Sequence, residues 1–180
     1  MSDVVVTLMR ALDFAARKHR DQRRKGAAAE PYINRLTEVA LLVAEATRGR
    51  DRLAVLGALL HDTVEDTETT AEELEAEFGT EVAVLVAEVT DDKRLLQQER
   101  KRLQVETAPH KSQRAKLIKI ADKTSNLLSI IESPPVGWDT TRRRESFKWA
   151  AEVVEGCRGA NASLEAKFDE VYRRGCQLLS

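Results

Sequence analysis

The sequence predicts an all-α fold, a single compact bundle of about eight to ten helices. Two observations predict it. Four prolines and eight glycines in 180 residues leave long stretches free of breakers, and within those stretches apolar residues recur at spacings of three and four. Helix one is expected from about Asp3 to Lys25, with Val5, Leu8, Met9, Leu12, Ala15 and Ala16 as its apolar stripe, and Gly26 to Ala29 form a loop before Glu30-Pro31. LTEVALLVAEAT reads as a second helix over Leu36 to Thr47, ending before Gly49. DRLAVLGALLHDTVEDT reads as a third, apolar on nearly every side from Leu53 to Leu60 and therefore central. Thr70 with Glu73 has the spacing of a capping box and opens a fourth helix, which Gly79 stops. Glu81 to Val89 and Arg94 to Thr107 follow, divided by Thr90-Asp91-Asp92. After Pro109 a long helix covers about Ser112 to Ile131, with Leu117, Ile120, Thr124, Leu127 and Ile131 on one broad face, and Pro134-Pro135 terminates it. Thr141 to Glu155 and Ser163 to Arg173 complete the set. No repeat, low-complexity tract or long linker divides the chain, so residues 1–180 read as one domain with flexible ends at 1–2 and 176–180.

Composition excludes several classes. With 42% hydrophobic residues the chain is not disordered, and no stretch approaches the ~20 apolar residues that a bilayer requires. Asp3, Arg10 and Asp13 stand where a signal peptide would be apolar. A soluble, cytoplasmic protein with no membrane partner is expected. Cys157 and Cys176 are too few for a disulfide scaffold and read as reduced thiols. A net charge of −1 argues against a nucleic-acid partner, yet the charges are segregated: Leu53 to Asp92 holds 12 acidic residues and no Lys or Arg, and Lys93 to Lys148 holds 14 basic and 6 acidic. Nothing in these residues fixes the oligomeric state.

The most informative segment is His61-Asp62-Thr63-Val64-Glu65-Asp66. On a helix, His61 and Glu65 lie one turn apart, as do Asp62 and Asp66, so an imidazole and three carboxylates share one edge of an apolar helix. Crowded carboxylates losing hydration repel one another, and a cation is the usual compensation. Imidazole with carboxylates suits divalent Mn, Fe or Zn, with Mn favoured as oxygen ligands dominate. The bland alternative is a solvated helix end. Asp122 strengthens the metal reading, because it sits in the middle of the apolar helix LIKIADKTSNLL with Asn126 one turn later. Its bland alternative is pairing with Lys119 or Lys123.

These residues carry a resemblance. His61-Asp62 followed at a distance by Asp122 resembles the HD metal-dependent phosphohydrolases. The strings RKHRDQRRKG, EPYIN, ALLHDTVEDT, EVTDDK, ERKRLQVE, KLIKIADKTSNL and FKWAAEVV, from about Ala11 to Gly159, resemble the hydrolase domain of the RelA/SpoT proteins. The short form is similar to the small alarmone hydrolases of the metazoan SpoT-homologue type. The resemblance implies an HD-domain helical bundle and Mn2+-dependent removal of the 3′-pyrophosphate from the guanine nucleotides ppGpp or pppGpp. It implies that His61, Asp62 and Asp122 hold the metal, and that Glu65 and Asp66 position and activate the attacking water. It further implies that Arg24 and Lys25 flank the guanine base, and that Tyr32, Asn126 and Arg142 contact the remainder of the substrate.

One departure bears on the metal. The family's first His ligand falls on Arg35 in EPYINRLTEV, and a guanidinium has no free lone pair and stays protonated. Either a three-ligand site remains with weakened affinity, or Arg35 brings a fixed charge into the cluster and pairs with Asp62 or Asp122. Leu128 and Ser146 also depart from the family, at positions where an arginine and an aromatic are frequent. Two alternatives therefore stand beside the hydrolase: a catalytically silent nucleotide-binding or regulatory HD module, and a phosphohydrolase of another nucleotide such as NADPH.

Overall fold

Two helices buried on nearly every side organise the chain. The computed structural model describes residues 2–180, and among them ten α-helices follow one another: α1 (Ser2–Lys18), α2 (Ile33–Thr47), α3 (Arg52–Leu60), α4 (Thr63–Asp66), α5 (Ala71–Phe78), α6 (Thr80–Val89), α7 (Gln97–Thr107), α8 (Gln113–Glu132), α9 (Thr140–Glu155) and α10 (Ala162–Leu178). α3 is buried from Ala54 to Leu60. α8 is buried over Leu117 to Ser125 and packs against α2, α3, α6, α9 and α10. The all-α bundle is thus a shell of amphipathic helices around an apolar pair. No helix is long and apolar enough to cross a membrane among the described residues.

Local chemistry sets the boundaries that periodicity alone misplaces. Helix one ends at Lys18 rather than Lys25. Beyond it Arg20, Arg23 and Lys25 are exposed, and the chain doubles back: the Arg24 N–H donates to Glu30 O at 2.9 Å and the Tyr32 N–H to Gln22 O at 3.0 Å. Charged residues favour a helix there by propensity, but no apolar face holds them to the core. The buried stripe of α1 is also rotated. Ala11, Phe14 and Ala15 are buried while Val5 and Met9 are exposed, because Phe14 packs edge-on against Phe78 at 5.3 Å.

The expected long third helix is broken. α3 stops at Leu60 and the short α4 begins at Thr63, leaving His61 and Asp62 in the corner. His61 Nδ1 bonds Ala58 O at 2.7 Å and the Thr63 hydroxyl donates to Leu60 O at 2.6 Å, so side chains satisfy carbonyls that a continuous helix would have used. α7 likewise begins at Gln97 instead of Arg94, because Asp92 accepts both the Arg94 N–H (3.0 Å) and its guanidinium (2.7 Å) in a closed turn. Thr70 caps α5 by accepting from the Glu73 N–H at 3.1 Å, and Gly79, at φ 90°, separates α5 from α6. His110 lies in a 3₁₀ turn, Ala108–His110, between α7 and α8. α10 extends to Leu178, so residues 176–178, expected as part of a loose end, are helical. Met1, assigned to the other loose end, lies outside the described residues.

The seam between α9 and α10 yields a stability prediction. A Cβ on Gly175 would run into the Phe147 ring, which is buried and lies tilted against Tyr172 at 6.0 Å. Gly→Ala in a helix interior otherwise gains about 1 kcal/mol. Overpacking a rigid ring costs about 1–3 kcal/mol, so Gly175→Ala is expected to lower unfolding free energy in urea despite its better helix propensity.

Candidate functional site

Residues that the sequence singles out converge on one cleft of about 670 Å3, lined by His61, Asp62, Asp122, Arg35, Glu65, Asp66, Arg24, Lys25, Tyr32, Asn126 and Arg142. Four segments build it: the loop after α1 with the first turn of α2, the α3–α4 corner, the middle of α8, and the α7–α9 wall. Its deep end is acidic and buried, with His61 and Asp122 in the core. Its rim is basic, with Lys25 and Arg142 exposed.

At the deep end, His61 Nε2 lies 3.1 Å from Asp62 Oδ2 and 3.5 Å from Asp122 Oδ1. It is buried and makes no hydrogen bond, while Nδ1 is held by Ala58 O. Burial alone would lower the imidazole's pKa, but the two carboxylates outweigh it and push it up to about 10. Arg35 reaches the same spot from α2. Its Nε donates to Asp62 Oδ2 at 3.3 Å, and its two terminal nitrogens bond Asp122 and Asn126. Tyr32 OH donates to Asp62 Oδ2 at 2.7 Å, and Lys123 Nζ to Asp122 Oδ2 at 3.1 Å. Burial opposes ionisation of both carboxyls, yet the neighbouring His61 and Arg35 hold Asp62, and Arg35, Lys123 and His61 hold Asp122, well below the usual carboxylate range.

These side chains do not fit a divalent ion as they stand. Among the described residues, no group of three or more His, Cys, Asp or Glu is arranged to hold one. The two carboxylates already face the fixed charges of Arg35 and Lys123. A divalent ion ~4 Å from the guanidinium would be repelled by about 8 kcal/mol at an effective dielectric constant of about 20. Of the two readings of Arg35, the geometry has the pairing one, with both Asp62 and Asp122 engaged.

The acidic pair on α4 is organised differently. Glu65 Oε2 accepts the Asp91 N–H at 2.9 Å, and burial, reinforced by the charges of Asp91, Asp62 and Asp66, pushes its pKa up to about 6. A carboxylate so tuned can take a proton from water near neutral pH. Asp66 accepts from Gln22 Nε2 at 3.1 Å and pairs with Lys93.

The expected substrate contacts are only in part free. Arg24 is tied to Glu38 at 3.1 Å and Tyr32 to Asp62, so neither presents an uncommitted group. Asn126 is engaged by Arg35. Lys25 remains open to the cleft. In the triple-arginine stretch, Arg143 donates to Trp138 O (3.1 Å) and Arg144 to Leu179 O (2.8 Å), whereas Arg142 lies over the Trp138 ring at 4.6 Å, facing the cleft. Leu128 packs against the core outside the cleft, and Ser146 lines it, donating to Arg142 O at 3.1 Å. Sequence reasoning missed the α7–α8 wall. Lys101 and Lys123 each place an ammonium over the Trp149 ring, at 5.0 and 4.1 Å, and Arg100 and Lys119 also line the cleft. The signal lay in the charge blocks, where basic residues crowd the stretch after Asp92.

Comparison with known proteins places this geometry. The HD domain family profile matches residues 11–148. A Xenopus tropicalis protein named guanosine-3′,5′-bis(diphosphate) 3′-pyrophosphohydrolase MESH1 is 49% identical over 172 residues, 96% of this chain and 96% of that protein. The Homo sapiens protein of the same name is 49% identical over 174 residues, 97% of each chain. A solved structure, described as a metazoan ortholog of SpoT that hydrolyzes ppGpp and plays a role in starvation responses, superposes with a TM-score of 0.90 at 48% identity, covering 93% of this chain and 94% of that one.

The buried ion network predicts unequal costs. Asp122→Asn removes the charge shared by Arg35, Lys123 and His61 and is expected to cost about 3–5 kcal/mol in urea unfolding, because buried cations are left uncompensated. Lys93→Ala, which breaks the more exposed pair with Asp66, is expected to cost under about 1 kcal/mol.

Proposed function

We propose, from the premise that this chain belongs to the HD domain family and stands among its metazoan SpoT-homologue ppGpp hydrolases, that it is a guanosine-3′,5′-bis(diphosphate) 3′-pyrophosphohydrolase, yielding GDP and pyrophosphate. The observation that carries the reading is one cleft with the His61, Asp62 and Asp122 cluster at its buried end and cationic side chains along its wall and rim. A nucleotide with polyphosphates at two ribose positions needs positive charge over an extended path, and Lys25, Arg100, Lys101 and Arg142 are spread along the cleft in that way.

The reaction adds water across the bond between the ribose 3′ oxygen and its phosphorus. The water oxygen bonds to phosphorus, the 3′ oxygen–phosphorus bond breaks, and pyrophosphate departs from GDP. Glu65, held by the Asp91 N–H, receives the water's proton, and the ribose oxygen regains one from solvent or from Glu65. Asp66, fixed by Gln22 and Lys93, orients the water. Lys25 and Arg142 hold phosphate oxygens, and the flat face of Trp138 or Trp149 offers a purine a stacking surface.

HD-domain hydrolases are metal-dependent, and Mn2+ is the ion we assign to relatives that keep the ligand histidine. Here the donor set does not receive it, so the steps above fall on the chain's own groups. The Arg35 pairing also favours a second reading, a site that binds nucleotide and turns it over slowly or not at all.

Offered ppGpp, the protein is expected to release GDP and pyrophosphate in equal amounts. No release in either Mn-containing or EDTA buffer would leave only the binding reading. Glu65→Gln is expected to lower kcat by about 10²–10⁴-fold with nucleotide binding retained. The wild-type rate should rise with pH through about 6, because the raised pKa of Glu65 keeps it protonated, and unable to accept a proton, below that point. A flat profile between about pH 5 and about pH 7 would exclude Glu65 as the base.

A further inference from the structure

We propose that Arg35 is a built-in cation standing in the place of the divalent ion, so that this chain assembles its site and holds its nucleotide without metal. The guanidinium enters from the first turn of α2 and is only 15% exposed. Its three nitrogens are used at once, on Asp62 from the α3–α4 corner and on Asp122 and Asn126 from α8. Tyr32, at the N-cap of α2, places its ring 5.8 Å from the guanidinium carbon and donates its hydroxyl to the same Asp62 oxygen. Lys123 takes the second oxygen of Asp122. Both carboxylates are therefore already engaged by fixed cations, Asp62 by Arg35 and Asp122 by Arg35 and Lys123, and a divalent ion would have to displace or share them against the repulsion of those charges.

The substitution changes the chemistry as well as the charge. A guanidinium stays protonated at any working pH and cannot dissociate from its site, so the neutralisation is permanent and independent of metal supply. It has no vacant orbital for water, so it does not create a metal-bound hydroxide. It can still donate to a phosphoryl oxygen. The clause on nucleotide rests on the reading under Proposed function; the clause on metal rests on the side-chain geometry alone.

The test uses the full chain, stripped with EDTA and then exposed to MnCl2 alone. Bound Mn is counted by elemental mass spectrometry, and the melting temperature is followed with Mn and with EDTA. The wild type is expected to retain no stoichiometric Mn and to melt at the same temperature in both buffers. Arg35→His is expected to take up about one Mn per chain and to melt about 5–10 °C higher at a hundredfold excess of Mn over its Kd. Wild-type binding of about one Mn per chain that His61→Ala abolishes would overturn the proposal, as would a folded Arg35→His that binds none. If Arg35→His fails to fold, the wild-type count and melting temperatures decide. Wild-type affinity for ppGpp is expected to be equal in Mn and in EDTA, and a loss of about tenfold or more in EDTA would overturn the metal-free clause. Absence of ppGpp binding in both buffers would refute the nucleotide reading, and the Mn count would still decide the metal clause.

Discussion

A single guanidinium ties together the elements that the cleft depends on. Arg35 links α2, the α3–α4 corner and α8 through Asp62, Asp122 and Asn126, and α3 and α8 are the two helices most completely surrounded by protein. Charged groups placed between such helices are tolerated only when every one has a partner. The ring formed by Arg35, Lys123, Tyr32, Asp62 and Asp122 meets that condition, and the broken helix at Asp62 is part of it. At the corner the His61 and Thr63 side chains bond the carbonyls of Ala58 and Leu60 at the end of α3. The corner is the local geometry that brings an imidazole and a carboxylate inward together.

Around this ring the electrostatics of the chain are arranged in opposition. The acidic stretch that includes α4, α5 and α6 contributes Glu65 and Asp66 to one side of the cleft. The basic stretch after Asp92 contributes Arg100, Lys101, Lys119 and Arg142 to the other. The two sides are joined where Asp91 gives its N–H to Glu65 while its carboxylate lies 3.8 Å from Lys119. A polyanion entering the cleft passes cations before it reaches the carboxylates, which favours capture over repulsion.

Most of the fold was legible because helices in this chain announce themselves through spacing and caps. Thr70, Gly79, Gly49 and Pro134-Pro135 mark ends that the structure keeps. Failures fell where charge and packing part company. The run after Lys18 has the composition of a helix and no apolar face to bury. The corner at Asp62 carries neither glycine nor proline, so only the side-chain bonds of His61 and Thr63 reveal it. In the site, polar residues in apolar surroundings were visible: His61, Asp62 and Asp122 have no other reason to interrupt such helices. Lys101 and Trp149 were not, because a lysine on an amphipathic helix and a tryptophan beside it look like a solvated face and a core residue, and Lys123 was legible only as a partner for Asp122. Their proximity is a property of how α7, α8 and α9 cross. Arg35 could be read as far as two alternatives, and only the three-way hydrogen bonding separates them.

The chain has two tryptophans, and both line the cleft: Trp138 beside the Arg142 guanidinium and Trp149 beside the ammonium groups of Lys101 and Lys123. The intrinsic emission of this protein is therefore a signal from the cleft walls, with no background from indoles elsewhere. An anion that draws those cations off the ring faces changes the environment of both fluorophores at once, so the molecule carries its own optical gauge of occupancy.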